Sequence, residues 1–291
     1  MKHWLLGCLC VLVGGVAFAA LAAVDRPVVE SSMLLTGTIV IAPDGSVRSH
    51  TIDQPEKVPS AIRAFADKAM AAWKFVPAVI DGHPGVAQAK VHLRLIADPT
   101  ADGSYVVRVG GVSFEGDGDS SENLQENVAV SRLHAPQYPF DALRAHTGGT
   151  VFLLLRVGRQ GEVLDAAAEQ VNLTAQGPAW EMAKLRGQFA RASLVAVKRW
   201  RFVAPTTGQL ADKPYWYARV PVTFALRSPG HPPPTDEDEY GQWQPYVRGP
   251  REVVPWLNVP QLTAGAVDTT PDGSVLALGQ GPKFATPVSG D

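Results

Sequence analysis

Seven histidines, His3, His50, His83, His92, His134, His146 and His231, are the first candidates for chemistry. Imidazoles hold metal when two sit one helical turn apart, and they move protons when a carboxylate orients one beside a nucleophile. None of the seven is spaced i, i+4, and no H-E-x-x-H occurs. The pattern is that of scattered surface histidines. Asp117, Asp119 and Glu122, interleaved with Gly116 and Gly118, resemble part of a calcium loop. Such a loop closes on a Glu at its twelfth position, where this chain has Val128, so a solvated linker is the better reading. The 2 cysteines, Cys8 and Cys10, both lie in the N-terminal run, leaving the body without material for a disulfide, a Cys-ligated zinc or a thiol nucleophile. No G-x-S-x-G elbow and no P-loop occurs. The residues therefore assign no catalytic group, no metal ligand and no cofactor, and the expectation is a protein that is not an enzyme.

The chain has 291 residues, 46% hydrophobic and 19% charged, with a formal net charge of −2. At about 150 residues per domain this length suggests two domains. The apolar content is that of a folded chain, and the charge balance gives no overall basic field for nucleic acid. Trp4 to Val24 carries no charge and is bracketed by Lys2 and Asp25. Within it, Ala17-Phe18-Ala19 and Ala20-Leu21-Ala22 both fit an A-x-A cleavage site. Residues 1–22 are expected to be a signal peptide. Left uncleaved, residues 4–24 are long enough to be an inner-membrane anchor, the sole membrane contact expected. Either outcome places the rest of the chain in the periplasm.

The elements that would position any site occur twice. Gly37-Thr38-Ile39-Val40-Ile41 leads through Asp44-Gly45 to Val47, and Gly149-Thr150-Val151-Phe152-Leu153 leads through Gln160-Gly161 to Val163. Each reads as a β-hairpin. Next come apolar stripes at helical spacing: Ile62, Phe65, Ala66, Ala69 and Trp73 in one copy, Phe189, Ala192, Ser193, Ala196 and Trp200 in the other. Ser60 is the expected cap of the first helix, and Pro178 the start of the second. Trp73-Lys74-Phe75-Val76-Pro77 and Trp200-Arg201-Phe202-Val203-Ala204-Pro205 end the helices, with both tryptophans in core register. Each copy closes on an alternating strand: Ala89 to Leu95, whose Lys90, His92 and Arg94 point to a polar outer face, and Val220 to Leu226. Tyr105 to Val109 and Val112 to Phe114 suggest further strand. The expected class is α+β, with two tandem units, each an antiparallel sheet carrying one packed helix. The units span 28–115 and 131–227, with a linker at 116–130. Residues 228–291, rich in Pro and Gly, are expected to form a largely disordered tail. Tyr215-Trp216-Tyr217 could anchor a partner or close the sheet end.

Pro136-Gln137-Tyr138-Pro139-Phe140-Asp141-Ala142 precedes the second hairpin. Taken in order with Gly149-Thr150-Val151, Gly161-Glu162-Val163, Trp200-Arg201-Phe202, Pro205 and the closing strand, it resembles the C-terminal domain of the TonB energy-transducer family. The first copy resembles only the later parts of that pattern. The resemblance implies a periplasmic protein that grips peptides of TonB-dependent outer-membrane receptors by strand addition, in support of transmembrane transport. On this chain the matching partner-binding residues are Pro136, Gln137, Tyr138 and Pro139, with Tyr217, Val220, Val222 and Phe224 on the strand edge. Transducers also carry a His in the membrane helix, a long Pro-rich spacer before the domain, and often a Gln before the Tyr-Pro motif. Here the apolar run has no internal His, no such spacer follows it, and Ala135 occupies the Gln position. A structural envelope adaptor, unrelated to energised transport, is the alternative expectation.

Overall fold

The computed structural model describes residues 29–80, 82–115, 126–226, 239–257 and 266–286. The expected signal segment, most of the linker and the Pro-rich acidic stretch before residue 239 lie outside them.

The class is α+β. In the first half, β1 (Glu30–Ile41) and β2 (Val47–Ile52) form the hairpin and α1 (Ser60–Ala71) follows. A small hairpin, β3 (Ala78–Ile80) and β4 (His83–Gly85), leads into β5 (Ala87–Pro99) and β6 (Tyr105–Glu115). The order is β2–β1–β5–β6, all antiparallel. In the second half, β7 (Ala129–Arg132) and α2 (Phe140–Arg144) precede the hairpin of β8 (Gly149–Gly158) and β9 (Val163–Leu173). Then come α3 (Ala179–Val197), β10 (Arg201–Val203) and β11 (Tyr215–Phe224). β8 lies between β9 and β11, and β7 pairs with β10. Each hairpin's first strand is thus central, and a long later strand, β5 or β11, pairs with its other side.

The same local device locks each hairpin to the end of its helix. Gly45 and Gly161 turn with φ of 79° and 74°, a left-handed conformation that favours glycine. Each carbonyl accepts a 2.8 Å bond from the amide that ends the W-x-F motif, Phe75 N–H in one half and Phe202 N–H in the other. A side chain at either glycine has no room, because its Cβ would stand 2.0 Å from the Phe75 oxygen or 1.8 Å from the Phe202 oxygen. Trp73 and Trp200 are buried, as their spacing predicts, and Ala66, Met70, Phe189 and Ala196 fill the helix–sheet cores. Pro178 occupies the N-cap of α3. Ser60 does not cap α1: it is the first helical residue, Pro59 takes the cap position, and no side chain bonds there.

The expectation of a largely disordered tail is corrected for residues 239–257 and 266–286. β12 (Gln244–Tyr246) pairs with the N-terminal end of β1, and β13 (Leu276–Ala277) pairs with β11. Tyr246 is matched to Glu30 of the first sheet, while the next residue, Val247, exchanges two main-chain bonds with Leu173 of the second. Phe284 stacks on Phe75 at 4.8 Å and meets Trp73 and Phe114 edge-on. Main-chain bonds from Val76 to Lys283 and from Ala285 to Lys74 fix it there. Scattered apolar residues among prolines read as unstructured because no period links them. Their partners are two preformed sheets distant in sequence.

This tail also changes the character of the outer faces. Arg94 is half-buried and donates to the Asp268 carbonyl and to Ser32 Oγ, and its guanidinium lies over the Tyr246 ring. His92 is 1% exposed, so neither it nor Arg94 belongs to an open basic stripe. On the second sheet, Leu154 is buried under Val254 and Leu257 of the tail. Each sheet carries its helix on one face and tail on the other, and the tail also reaches round to the helix side through Tyr240, Trp243 and Phe284 in the first half and Val247 in the second.

Candidate functional site

The expected partner edge is β11. Its inner neighbour is β8, in continuous register from Tyr215 opposite Gly158 to Phe224 opposite Gly149. Side chains alternate across this strand, and Val220, Val222 and Phe224 point into the core under α3. Tyr138 reaches the same place. Its ring meets Phe224 at 5.6 Å and Phe189 at 5.8 Å, both edge-on, and its hydroxyl donates to the Thr147 carbonyl at 2.8 Å. Burial pushes the phenol pKa up. The Tyr-Pro segment is therefore fastened beside the C-terminal end of β11. Trp200 tethers its start through an indole bond to the His134 carbonyl. Pro136 and Pro139 are half-buried, and Gln137 is exposed. Tyr217 sits near the other end of β11, its ring parallel to Trp256 of the tail at 6.1 Å.

The outer main-chain side of β11 is what an added strand would use. Ala218 and Arg219 pair with Ala277 and Leu276, and Tyr217 accepts a 2.8 Å bond from the Leu278 amide. In an antiparallel ladder alternate residues turn their polar groups to the same side. Tyr217, Arg219, Pro221 and Thr223 therefore face outward. Pro221 has no N–H to offer, so the ladder with β13 stops at Arg219. Beyond it, no strand pairs with the outer side of Val220 to Phe224 among the described residues. The Thr223 hydroxyl lies 3.1 Å from the Thr150 hydroxyl of β8. Beside the β13 end, an apolar cleft of about 310 Å³ is lined by Leu210, Pro214, Tyr215, Tyr217 and Leu278.

A second polar feature, which the sequence reading missed, joins tail and sheets. Glu169 on β9 takes a bidentate bond from Arg219 on β11 and two further bonds, both to Oε1, from Arg251 of the tail. Glu169 and Arg219 are each 2% exposed. Fully buried Asp268 accepts from Asn172 of β9 and from Arg248, while its carbonyl takes Arg94 of β5. Burial alone would raise the Asp268 pKa. Arg94, Arg248 and the Asn172 amide together hold it below the ordinary carboxylate value. The signal available beforehand was weak: an acid and two arginines inside a Pro- and Gly-rich stretch. Among the described residues no group of three or more His, Cys, Asp or Glu is placed to hold a metal ion. No helix among them is long and apolar enough to cross a membrane.

No protein-family model, curated protein or solved structure matches the chain.

Proposed function

We propose that this chain is a non-enzymatic periplasmic protein of two tandem TonB-C-like units that binds an envelope protein partner by strand addition at β11, in support of transmembrane transport. The supporting observation is that β11 already holds an added strand. β13, from the far end of the chain, is seated by two paired residues and the Leu278 amide bond. A ladder this short is replaceable by a longer extended peptide running past Tyr217 toward Tyr215, away from Pro221. Tyr215, Tyr217 and the cleft beside them supply apolar contact for its side chains.

Hydrogen exchange on the full chain tests this. The probe is a synthetic peptide of the periplasmic N-terminal segment of a TonB-dependent receptor. Its binding should release the Leu278 amide to exchange and protect main-chain groups at Tyr215 and Tyr217. Unchanged protection at saturating peptide would sink the reading. The adaptor alternative is favoured by a different observation, the buried Glu169 and Asp268 bonds that fasten the tail. On that reading Leu278 stays protected and any partner binds elsewhere.

A further inference from the structure

The outward face of α3 has a composition that the net charge of −2 hides. At about 100° per residue, Trp180, Lys184, Arg191, Val195 and Lys198 fall within about 60° of arc. All five are exposed, Trp180 by 70% and Val195 by 66%. The stripe carries three cations and no acid, since Glu181 lies about 100° round from Trp180. α2 lies beside it, because Asp141 accepts bonds from Lys184 at 2.7 Å and Gln188 at 2.8 Å. That helix adds Phe140, 68% exposed, Leu143, 50% exposed, and exposed Arg144, whose guanidinium lies over the Phe140 ring.

We infer that this face docks on an anionic phospholipid surface. Large apolar side chains in water are ordinary when single, but here Trp, Phe, Leu and Val share two adjoining helices with four cations. A helix lying in a membrane interface has this arrangement: indole and phenyl rings enter the headgroup layer while Lys and Arg extend to lipid phosphates. Asp141, the acid between the helices, is bonded to Lys184 and Gln188 and offsets one of the four cations, which leaves the face an excess of three positive charges, and neutralising any cation lowers that excess by one. The rest of the chain is net acidic, so an anionic bilayer repels other approaches and selects this orientation. The tail does bond α3, through Arg186 and the Val247 and Arg248 carbonyls, but Arg186 lies about 120° round the helix from Trp180, so docking on the exposed stripe leaves those contacts in place. The inference is independent of the strand-addition reading and of whether residues 4–24 are retained.

The test uses the full chain and its Trp180→Phe variant. The difference between their emission spectra isolates Trp180, however the N-terminal run is held. Vesicles of brominated phosphatidylglycerol should quench that difference emission, and brominated phosphatidylcholine should not. Lys184→Gln/Arg191→Gln/Lys198→Gln should weaken partitioning about a hundredfold, from the charge contribution of each cation near the surface. About 1 M salt, which shortens the screening length to about 3 Å, should have a similar effect. Phe140→Ser/Leu143→Ser, on the other helix, should weaken quenching without changing its salt dependence. Equal quenching by both lipids, or a triple variant that partitions like the parent chain, overturns the inference. Absence of quenching together with self-association that the triple variant abolishes also overturns it, and assigns the face to a second copy.

Discussion

His92 illustrates how a residue's surroundings override its type. Its place on an alternating strand suggested a water-facing side chain, yet the ring is buried opposite Ser113, neither nitrogen makes a well-formed hydrogen bond, and Nε2 lies 3.5 Å from the Glu115 carboxylate. Burial lowers its pKa from the ordinary 6.5, and Lys90 acts in the same direction, while Glu115 and Asp53 oppose them. Between the folded pKa and 6.5 the unfolded chain binds a proton that the folded chain does not. The stability tied to neutral His92 is therefore complete above pH 6.5 and is lost as the pH falls toward the folded value. Urea titrations from pH 8 to pH 5 should show stability declining below about 6.5. A His92→Gln variant should lack that component. Identical pH slopes in both proteins would count against neutral burial of the ring.

Among the elements, those with local periodicity were legible beforehand. Hairpin glycines, helical stripes and the tryptophans that end the helices are coded within a few residues of each other, and they locate β1, β2, α1, β8, β9 and α3. The closing strand β11 was legible for the same reason, whereas the partner role of Tyr217, Val220, Val222 and Phe224 came from the family resemblance and not from any local period. What was not legible depends on distant partners. β12 and β13 have three and two residues and no pattern of their own. They are strands only because edges of β1 and β11 await hydrogen bonds. Pro221's outward nitrogen was equally hidden, since register decides which side a residue faces. The turn glycines give the sharpest test of element logic. Gly161→Ala should cost about 1–3 kcal/mol for the left-handed backbone alone, with more from contact at the Phe202 oxygen. Gly103→Ala, also left-handed but with open space around it, should cost only the backbone part. Chemical denaturation of the two variants should rank Gly161→Ala as the more damaging; equal losses would mean that the turn does not clamp the helix end.

For the whole molecule, the tail bonds to both sheets and links one to the other. Asp268 bonds to the second sheet through its side chain and to the first through its carbonyl. Asp268→Asn removes the charge that faces Arg248 and should cost about 1.5–3 kcal/mol, the worth of hydrogen bonds to a charged group. It should also loosen the coupling between halves, so that calorimetry resolves two transitions where the parent chain gives one. A single unshifted transition in the variant would show that the halves are joined by other contacts. Length arithmetic suggests two domains but carries no information about which segment crosses between cores.

The tail's contacts also bear on the order in which the molecule is made. A ribosome delivers β1 first, but the phenol that bonds to Thr36 is Tyr240, 204 residues later, and Arg94 waits 174 residues for Asp268. The aromatic cluster around Trp73 lacks one wall until Phe284 arrives. Contacts of such long range are slow to form, and each incomplete sheet presents an open edge in the meantime. The native state is therefore reached only when the C-terminal fifth has emerged. Nascent chains stalled before residue 239 should be cut by protease within segments that resist it in the finished protein.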